Sequence, residues 1–206
     1  VQTLPEPPKE IEIKFRLGAG PAAVRRRLQE VGAKGRGPVH EADVYLDQVG
    51  GRLAAEGRVL RLRRDQAGLV LTYKGPPAGG TIFAEREELE CGVADFDRMM
   101  ALLGALGYLP VRRKEKVRET FDLGEVAVCL DRLPFLGDYV EIEGPRRAIT
   151  RAAALLGLDL ADGTNRPYLE LYQAYWRDRA VDPEGAPEML FGAEPEGNGD
   201  RGGRSG

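Results

Sequence analysis

Apolar and polar residues alternate with period two along most of this chain, the pattern of strands that bury one face. From 9 to 17, Ile11, Ile13 and Phe15 share one face while Glu10, Glu12 and Lys14 share the other, because strand side chains point alternately to opposite sides. The same alternation recurs at 35–47, where Asp43, Tyr45 and Asp47 oppose Val44 and Leu46, and at 59–63, where Arg61 and Arg63 oppose Leu60 and Leu62. It continues at 69–74 (Thr72 and Lys74) and 82–91 (Arg86, Glu88 and Glu90). A long stretch at 108–121 carries Arg112, Lys114, Lys116 and Arg118 on one face. Segments 125–132, with Asp131, and 137–144, with Glu141 and Glu143 around Ile142, complete the set.

Three segments switch to helical spacing. Residues 21–31 carry Val24, Leu28 and Val31, with Pro21 at the start and Gly32 at the end. Residues 95–106 carry Phe96, Met99, Met100, Leu103 and Leu106 behind an N-cap aspartate, Asp95. Residues 146–157 place Ala152, Leu155 and Leu156 on one side. Residues 48–57 and 75–80 read as glycine-containing loops, and Tyr168–Leu171 as the start of a short closing segment. Strands joined by short turns predict an antiparallel meander rather than a βαβ series. The expected fold class is therefore α+β, mainly β: an eight-stranded antiparallel barrel with helices outside.

The helices decide which strand face points inward. An ordinary small barrel fills its interior with apolar side chains. The Leu, Met, Phe and Val stripes of the helices would then have nothing to dock on, and burying each large side chain contributes roughly 1.5–3 kcal/mol. Docking those stripes on the apolar strand faces turns the charged faces into the lumen. Uncompensated buried charges cost several kcal/mol, so such a tunnel must pair its charges and hold ions or a ligand.

Composition adds limits. Hydrophobic residues make up 42% of the 206, enough for a core, and no apolar run reaches the length of a membrane helix. The first ten residues lack the apolar stretch of a secretory signal, and a cytoplasmic location without membrane attachment is expected. Net charge is −3; from Asp178 onward seven acids and three bases put −4 on the end of the chain and leave +1 on the body. That Gly/Pro/Glu-rich end, 178–206, is expected to be disordered, with residues 1–177 forming the domain. Cys91 and Cys129 show no metal-ligand spacing and are expected to be small buried residues. His40 is the sole histidine, which excludes a metal site built on several histidines and leaves no partnered Ser-His-Asp relay.

The lumen inventory points to one ligand class. Bases Lys14, Arg61, Arg63, Lys74, Arg86, Lys116 and Arg118 suit a polyanion, since arginine forks grip phosphate oxygens bidentately. Acids Glu10, Glu12, Glu88, Glu90, Asp131, Glu141 and Glu143 suit Mg2+ or Mn2+, hard cations that take oxygen ligands. Together they suit a metal-complexed polyphosphate. No aromatic stacking platform accompanies the bases and the body is nearly neutral, so a nucleic-acid partner is not expected. The glycine-rich run ending at Gly80 is followed by no Lys-Ser/Thr and is not a Walker loop.

In order and strand phase the motifs resemble the CYTH domain, or triphosphate tunnel metalloenzyme, family. The resemblance runs from about Lys9 to Tyr172. It rests on E-x-E-x-K at Glu10/Glu12/Lys14, L-R-L-R at 60–63, T-Y-K-G-P at 72–76, R-x-E-x-E at Arg86/Glu88/Glu90, K-x-R at Lys116/Arg118, a lone Asp131, E-I-E at 141–143 and Y-L-E-L at 168–171. It implies an antiparallel tunnel that processes triphosphates with a divalent metal. By that resemblance Glu10, Glu12, Glu141 and Glu143 are metal ligands, with Glu90 and Asp131 as further candidates. Arg61, Arg63, Lys74, Arg86, Lys116 and Arg118 form the phosphate clamp, and Lys14 joins them as the catalytic candidate. The spacing is most similar to class IV adenylate cyclases, which convert ATP to cyclic AMP and pyrophosphate. Two alternatives stand beside that reading: a triphosphatase acting on inorganic, nucleoside or thiamine triphosphate, and a non-catalytic polyphosphate-binding module. Family precedent allows a homodimer.

Overall fold

Eight strands follow the predicted order in the computed structural model, which describes residues 8–193. They are β1 (Lys9–Arg16), β2 (Lys34–Gln48), β3 (Val59–Asp65), β4 (Gly68–Lys74), β5 (Ala84–Val93), β6 (Tyr108–Leu123), β7 (Val126–Leu133) and β8 (Gly137–Glu143). They close into a barrel in the order β1-β5-β4-β3-β2-β6-β7-β8, antiparallel at every pairing. Closure leaves no unpaired sheet edge. No helix is long and apolar enough to cross a membrane among the described residues.

The helices cover the apolar outer faces. α1 (Ala22–Glu30) and α4 (Arg146–Leu156) bury Val24, Leu28, Ile149 and Leu156 against Ile13, Phe15, Val128, Val140 and Ile142. α3 (Phe96–Ala105) lays Leu103, Met99 and Met100 over Leu46 and Leu62. Asp95 caps α3 as expected, accepting the Arg98 backbone N–H at 3.0 Å. Gly144 couples β8 tightly to α4: its φ is +146°, and a Cβ there would lie 2.7 Å from the Glu125 carbonyl oxygen. The barrel therefore keeps its alternation, with its oily side outward under helices and its charged side inward.

Four expectations need correction. The 48–57 loop contains a one-turn helix, α2 (Arg52–Ala55), fixed by the Asp47 carboxylate, which accepts the N–H groups of Gln48, Leu53 and Ala54. The closing segment at Tyr168 is a full helix, α5 (Tyr168–Arg177), whose Tyr168, Tyr172 and Trp176 recur at i, i+4 and i+8 on one buried face. The disorder expected from 178 does not hold for 178–193. Ala186 and Met189 bury themselves with α5, Leu133, Leu136 and Tyr139, and Met189 exchanges backbone hydrogen bonds with β6. Two well-placed apolar anchors outweigh a Gly/Pro-rich composition; the remaining residues of that expectation, 194–206, lie outside the described ones. Cys129 is buried, but Cys91 is exposed, because α3 covers the neighbouring Leu71 and Val93 and stops short of Leu89 and Cys91.

Candidate active site in the barrel lumen

Strand register sets the acidic side of the lumen. β1 and β8 pair Glu12 with Glu143 and Lys14 with Glu141, and β1 pairs Glu10 with Arg86 of β5. Lys14 is almost fully buried; it contacts Glu12 and lies 3.2 Å from Glu141. Burial alone would lower its pKa, but these two carboxylates outweigh burial and hold it protonated, above the ordinary lysine value. Lys74 bridges Glu10 at 2.5 Å and Glu88 at 3.1 Å. One lysine and part of another do not neutralise four crowded carboxylates. Burial and then repulsion from Glu141 raise Glu12 despite Lys14. Burial with Glu10, Glu141 and Glu12 pushes Glu143 up to about 7.

β2, β3, β6 and β7 build the basic side. Arg118 forks onto Asp131 at 2.7 and 2.6 Å and reaches Glu141 at 2.7 Å. Lys116 lies 3.2 Å from Asp131 and 3.3 Å from Glu41. Arg63 forks onto Asp43 at 2.7 and 3.0 Å and touches Glu41 at 2.6 Å, while Lys114 lies 2.9 Å from Asp43. Here the acids are over-neutralised. Burial opposes their ionisation, yet Arg118 and Lys116 bring Asp131 down to about 2, and Lys114 with Arg63 holds Asp43 well below the carboxylate range. Glu141, shared between the two sides, is likewise held well down by Arg118 and Lys14. The cations feel the crowding: burial and then neighbouring charge lower both Lys114 and Lys116.

These side chains line one cavity of about 530 Å3. It gathers Glu10, Glu12, Lys14, Arg61, Arg63, Lys74, Arg86, Glu90, Lys116, Arg118, Glu141 and Glu143. Of the predicted site residues, Asp131 alone does not line it; it stands behind Arg118 and Lys116 and orients them. Glu90 sits apart from the acidic cluster, accepting a hydrogen bond from Thr72 at 2.9 Å, with half its side chain exposed. Two guanidinium groups remain under-used. Arg86 is 8% exposed and makes no ion pair among the described residues, and the Nε atoms of Arg86 and Arg61 are buried without a partner. Arg61 still has Asp43 at 4.0 Å, Glu90 at 3.7 Å and the Thr72 hydroxyl at 3.0 Å, whereas a buried cation without a counterion is costly, so Arg86 calls for an anion in the cavity.

Glu41 and Asp43, the acids that hold the clamp in place, were not assigned to the lumen from sequence, although Asp43 already lay on the polar face of its segment. Tyr168 was missed as a lumen residue; the Tyr168/Tyr172/Trp176 spacing was the signal.

The acidic cluster fits a divalent cation in its chemistry: all donors are carboxylate oxygens, and the raised Glu12 and Glu143 mark a deficit of positive charge. Among the described residues no three carboxylates converge closely enough to enclose an ion in this arrangement, in which Lys14 and Lys74 draw Glu12, Glu141 and Glu10 toward themselves.

Outside the ionic zone the cavity, up to its mouth, is lined by Tyr45, Ala54, Gly57, Arg58, Val59, Pro77, Pro167, Tyr168, Leu169, Glu170 and Gln173. This part is mostly uncharged and has room for an organic group.

Comparison with known proteins agrees with this architecture. Putative adenylate cyclase MJ0240 of Methanocaldococcus jannaschii is 27% identical over 134 residues, 65% of this chain and 75% of that protein. The PH1012 protein of Pyrococcus horikoshii superposes with a TM-score of 0.67 at 28% identity, covering 79% of this chain and 98% of that one. A Vibrio parahaemolyticus structure described as a putative adenylate cyclase gives a TM-score of 0.73 at 23% identity, covering 82% and 99%. The CYTH domain description matches residues 8–168, from the first strand to the start of α5, and the chain belongs to the CYTH domain family.

Proposed function

We propose that this protein is a divalent-metal-dependent enzyme acting on a triphosphate held in the barrel lumen, and that its reaction is the conversion of ATP to cyclic AMP and pyrophosphate. The observation that carries the triphosphate reading is Arg86, a buried guanidinium that lines the cavity and has no ion pair among the described residues, beside Arg61, Arg63, Lys74, Lys116 and Arg118 on the same cavity. The mouth, with space and uncharged walls beside the ionic zone, supports a substrate with an organic end, and the resemblance to an archaeal chain bearing an adenylate cyclase name supports the cyclase form.

In this reading Arg61, Arg63, Arg86, Lys74, Lys116 and Arg118 bind the phosphate chain and hold the attacking oxygen, phosphorus and leaving oxygen in line. Glu10, Glu12, Glu141 and Glu143 hold the cation, Mg2+ or Mn2+, which supplies Lewis-acid polarisation of phosphoryl oxygens when bound. Lys14 is held protonated by Glu12 and Glu141, so it acts as a fixed positive charge for the developing negative charge and not as a base. The ribose 3′-oxygen attacks the α-phosphorus, the bond to the β-phosphate oxygen breaks, and pyrophosphate leaves. Glu90 and Asp131 serve other purposes: Asp131 steers Arg118 and Lys116, and Glu90 steers Thr72 and Arg61.

A second reading, triphosphate hydrolysis by water with release of orthophosphate, is favoured by the aromatic rings of the lining, Tyr45 and Tyr168, which both already have a lysine over them and so offer a base little to stack on. Incubation with Mg2+ or Mn2+ and either ATP or tripolyphosphate, with products resolved, separates the readings. Cyclic AMP with pyrophosphate is expected. Orthophosphate without a cyclic product would sink the cyclase in favour of the hydrolase, and binding without turnover would leave a binding module.

A further inference from the structure

Tyr168 has no part in the clamp described above, yet it lies in the middle of it. Its ring is 6% exposed, and three ammonium groups stand over it: the Nζ atoms of Lys14, Lys116 and Lys114 lie 5.2, 5.6 and 5.7 Å from its centroid. Its hydroxyl donates to Asp131 at 2.9 Å. Three lysines this close repel one another. The negative face of an aromatic ring offsets that repulsion without using the hydrogen-bond donors, which are left to the carboxylates of Glu12, Glu141, Glu41, Asp131 and Asp43 and to a ligand.

Asp131 and the edge contact with Tyr139 at 5.4 Å fix the ring from within the barrel, and the helix that carries it is seated by residues past the end of the family match at 168. The rest of α5 and the strap that follows it, 182–191, form a lock. Tyr172 donates its hydroxyl to the Pro187 carbonyl at 2.6 Å, and the Arg112 guanidinium donates to the carbonyls of Pro183, Ala186 and Pro187 at 3.1–3.4 Å. Met189 is fully buried and pairs with β6: the Glu115 N–H donates to the Met189 carbonyl at 2.8 Å, and the Met189 N–H donates to the Arg113 carbonyl at 3.3 Å. Arg112 and Lys114 are two residues apart on β6, so the strap is tied to the strand that carries one of the three lysines.

We propose that Tyr168 is a positioning residue of the phosphate cradle, setting Lys14, Lys114 and Lys116 through its ring face, and that the strap 182–191 keeps α5 seated so that it can do so. The proposal rests on the triphosphate reading of the lumen. It assigns a task to a part of the chain that lies outside the shared family region.

The test is calorimetric titration of the full-length protein with inorganic tripolyphosphate in EDTA, where binding is read without turnover. Trp176, the sole tryptophan, reports in parallel on the seating of α5 and the strap. Tyr168→Phe keeps the ring and should bind within about threefold of wild type. Tyr168→Leu keeps an apolar plug without the ring and should bind roughly tenfold more weakly, the scale expected for loss of ring–cation contacts in a buried site. Met189→Asp should expose Trp176, shift its emission to the red and match the loss seen for Tyr168→Leu, with far-ultraviolet dichroism reporting the barrel intact. Leu and Phe variants that bind alike would overturn the role of the ring. Wild-type affinity in Met189→Asp, or an unshifted Trp176 emission, would overturn the role of the strap. No binding by wild type either in EDTA or with Mg2+ in its place would overturn the triphosphate reading itself, whereas wild-type binding with an unaffected Tyr168→Leu would overturn this inference alone.

Discussion

The two sides of the lumen carry similar residue types and opposite electrostatic debts. On the basic side, Asp43, Glu41 and Asp131 each meet two or three cations, and all three stay ionised below the ordinary carboxylate range. On the acidic side, Glu12 and Glu143 are raised because burial and mutual repulsion exceed what Lys14 and Lys74 supply. The difference separates scaffold from function. The basic side is a finished network whose acids exist to aim arginines and lysines. The acidic side is unfinished in charge, and the proposed function completes it with a cation. Substitutions on the two sides should therefore have opposite signatures in stability and activity.

Glu12→Gln tests the acidic side and should have the largest effect. Turnover with Mg2+ or Mn2+ should fall by more than about 100-fold, beyond the 10- to 100-fold typical of outer-shell metal partners. The melting temperature in EDTA should not fall, since one like charge is removed from a crowded cluster. Unchanged turnover would remove Glu12 from the metal set. Arg118→Ala tests the basic side. It strands Asp131 and part of Glu141 in a buried setting, so denaturant unfolding should show a loss of about 3–5 kcal/mol. Full stability in that variant would break the contrast between the two sides.

Arg86→Ala sharpens the point. Arg86 is buried but lacks an ion-pair partner among the described residues, so its loss should leave stability unchanged or higher while raising KM for the triphosphate roughly tenfold. A fall in stability with normal KM would make it a structural residue. The acidic side also predicts a pH dependence. The folded Glu143 carboxyl holds its proton up to about 7, whereas the unfolded chain releases it near the ordinary glutamate value of 4.5. Folded protein thus binds more protons between those values, and stability in EDTA should fall as pH rises from about 4.5 to 7, then level off. Glu12, also raised, acts in the same direction, and the depressed acids of the basic side lose their contribution only at lower pH. Melting curves of wild type and Glu143→Gln across pH 5–8 check this; a wild-type slope no steeper than the variant's would contradict it. The smallest effect is expected for Glu90→Gln. Glu90 is half exposed and outside the cluster, and turnover should change by less than about threefold. A large loss would return Glu90 to the metal set.

Much of this arrangement was legible because alternation is a strong signal and the helices remove its ambiguity. Lys14, Glu12, Arg63 and Lys116 sit on the inward face because Ile13, Leu62 and Val117 cannot all face inward as well. β2 was harder to read: its pairing with β6 shifts register between Gly35 and Pro38, across Gly37, which blurs the alternation before Glu41. Glu41 and Asp43 were thus left out of the lumen even though they fix Arg63, Lys114 and Lys116. Asp131 was grouped with the other acids because sequence shows residue type and strand face but not depth, and depth places it behind the arginine rather than on the cavity. The strap was hidden by composition. Gly, Pro and Glu dominate 182–197, and the burial of Met189 depends on a surface built by β6, β7 and α5 that no local pattern reveals.

The division of the lumen is tested most directly by anomalous diffraction at the manganese edge from crystals grown with Mn2+ and tripolyphosphate. The account predicts a manganese peak among Glu10, Glu12, Glu141 and Glu143, with phosphate density against Arg61, Arg63, Arg86 and Arg118. Manganese seated instead against Asp43 and Asp131, or phosphate bound outside the barrel, would contradict it.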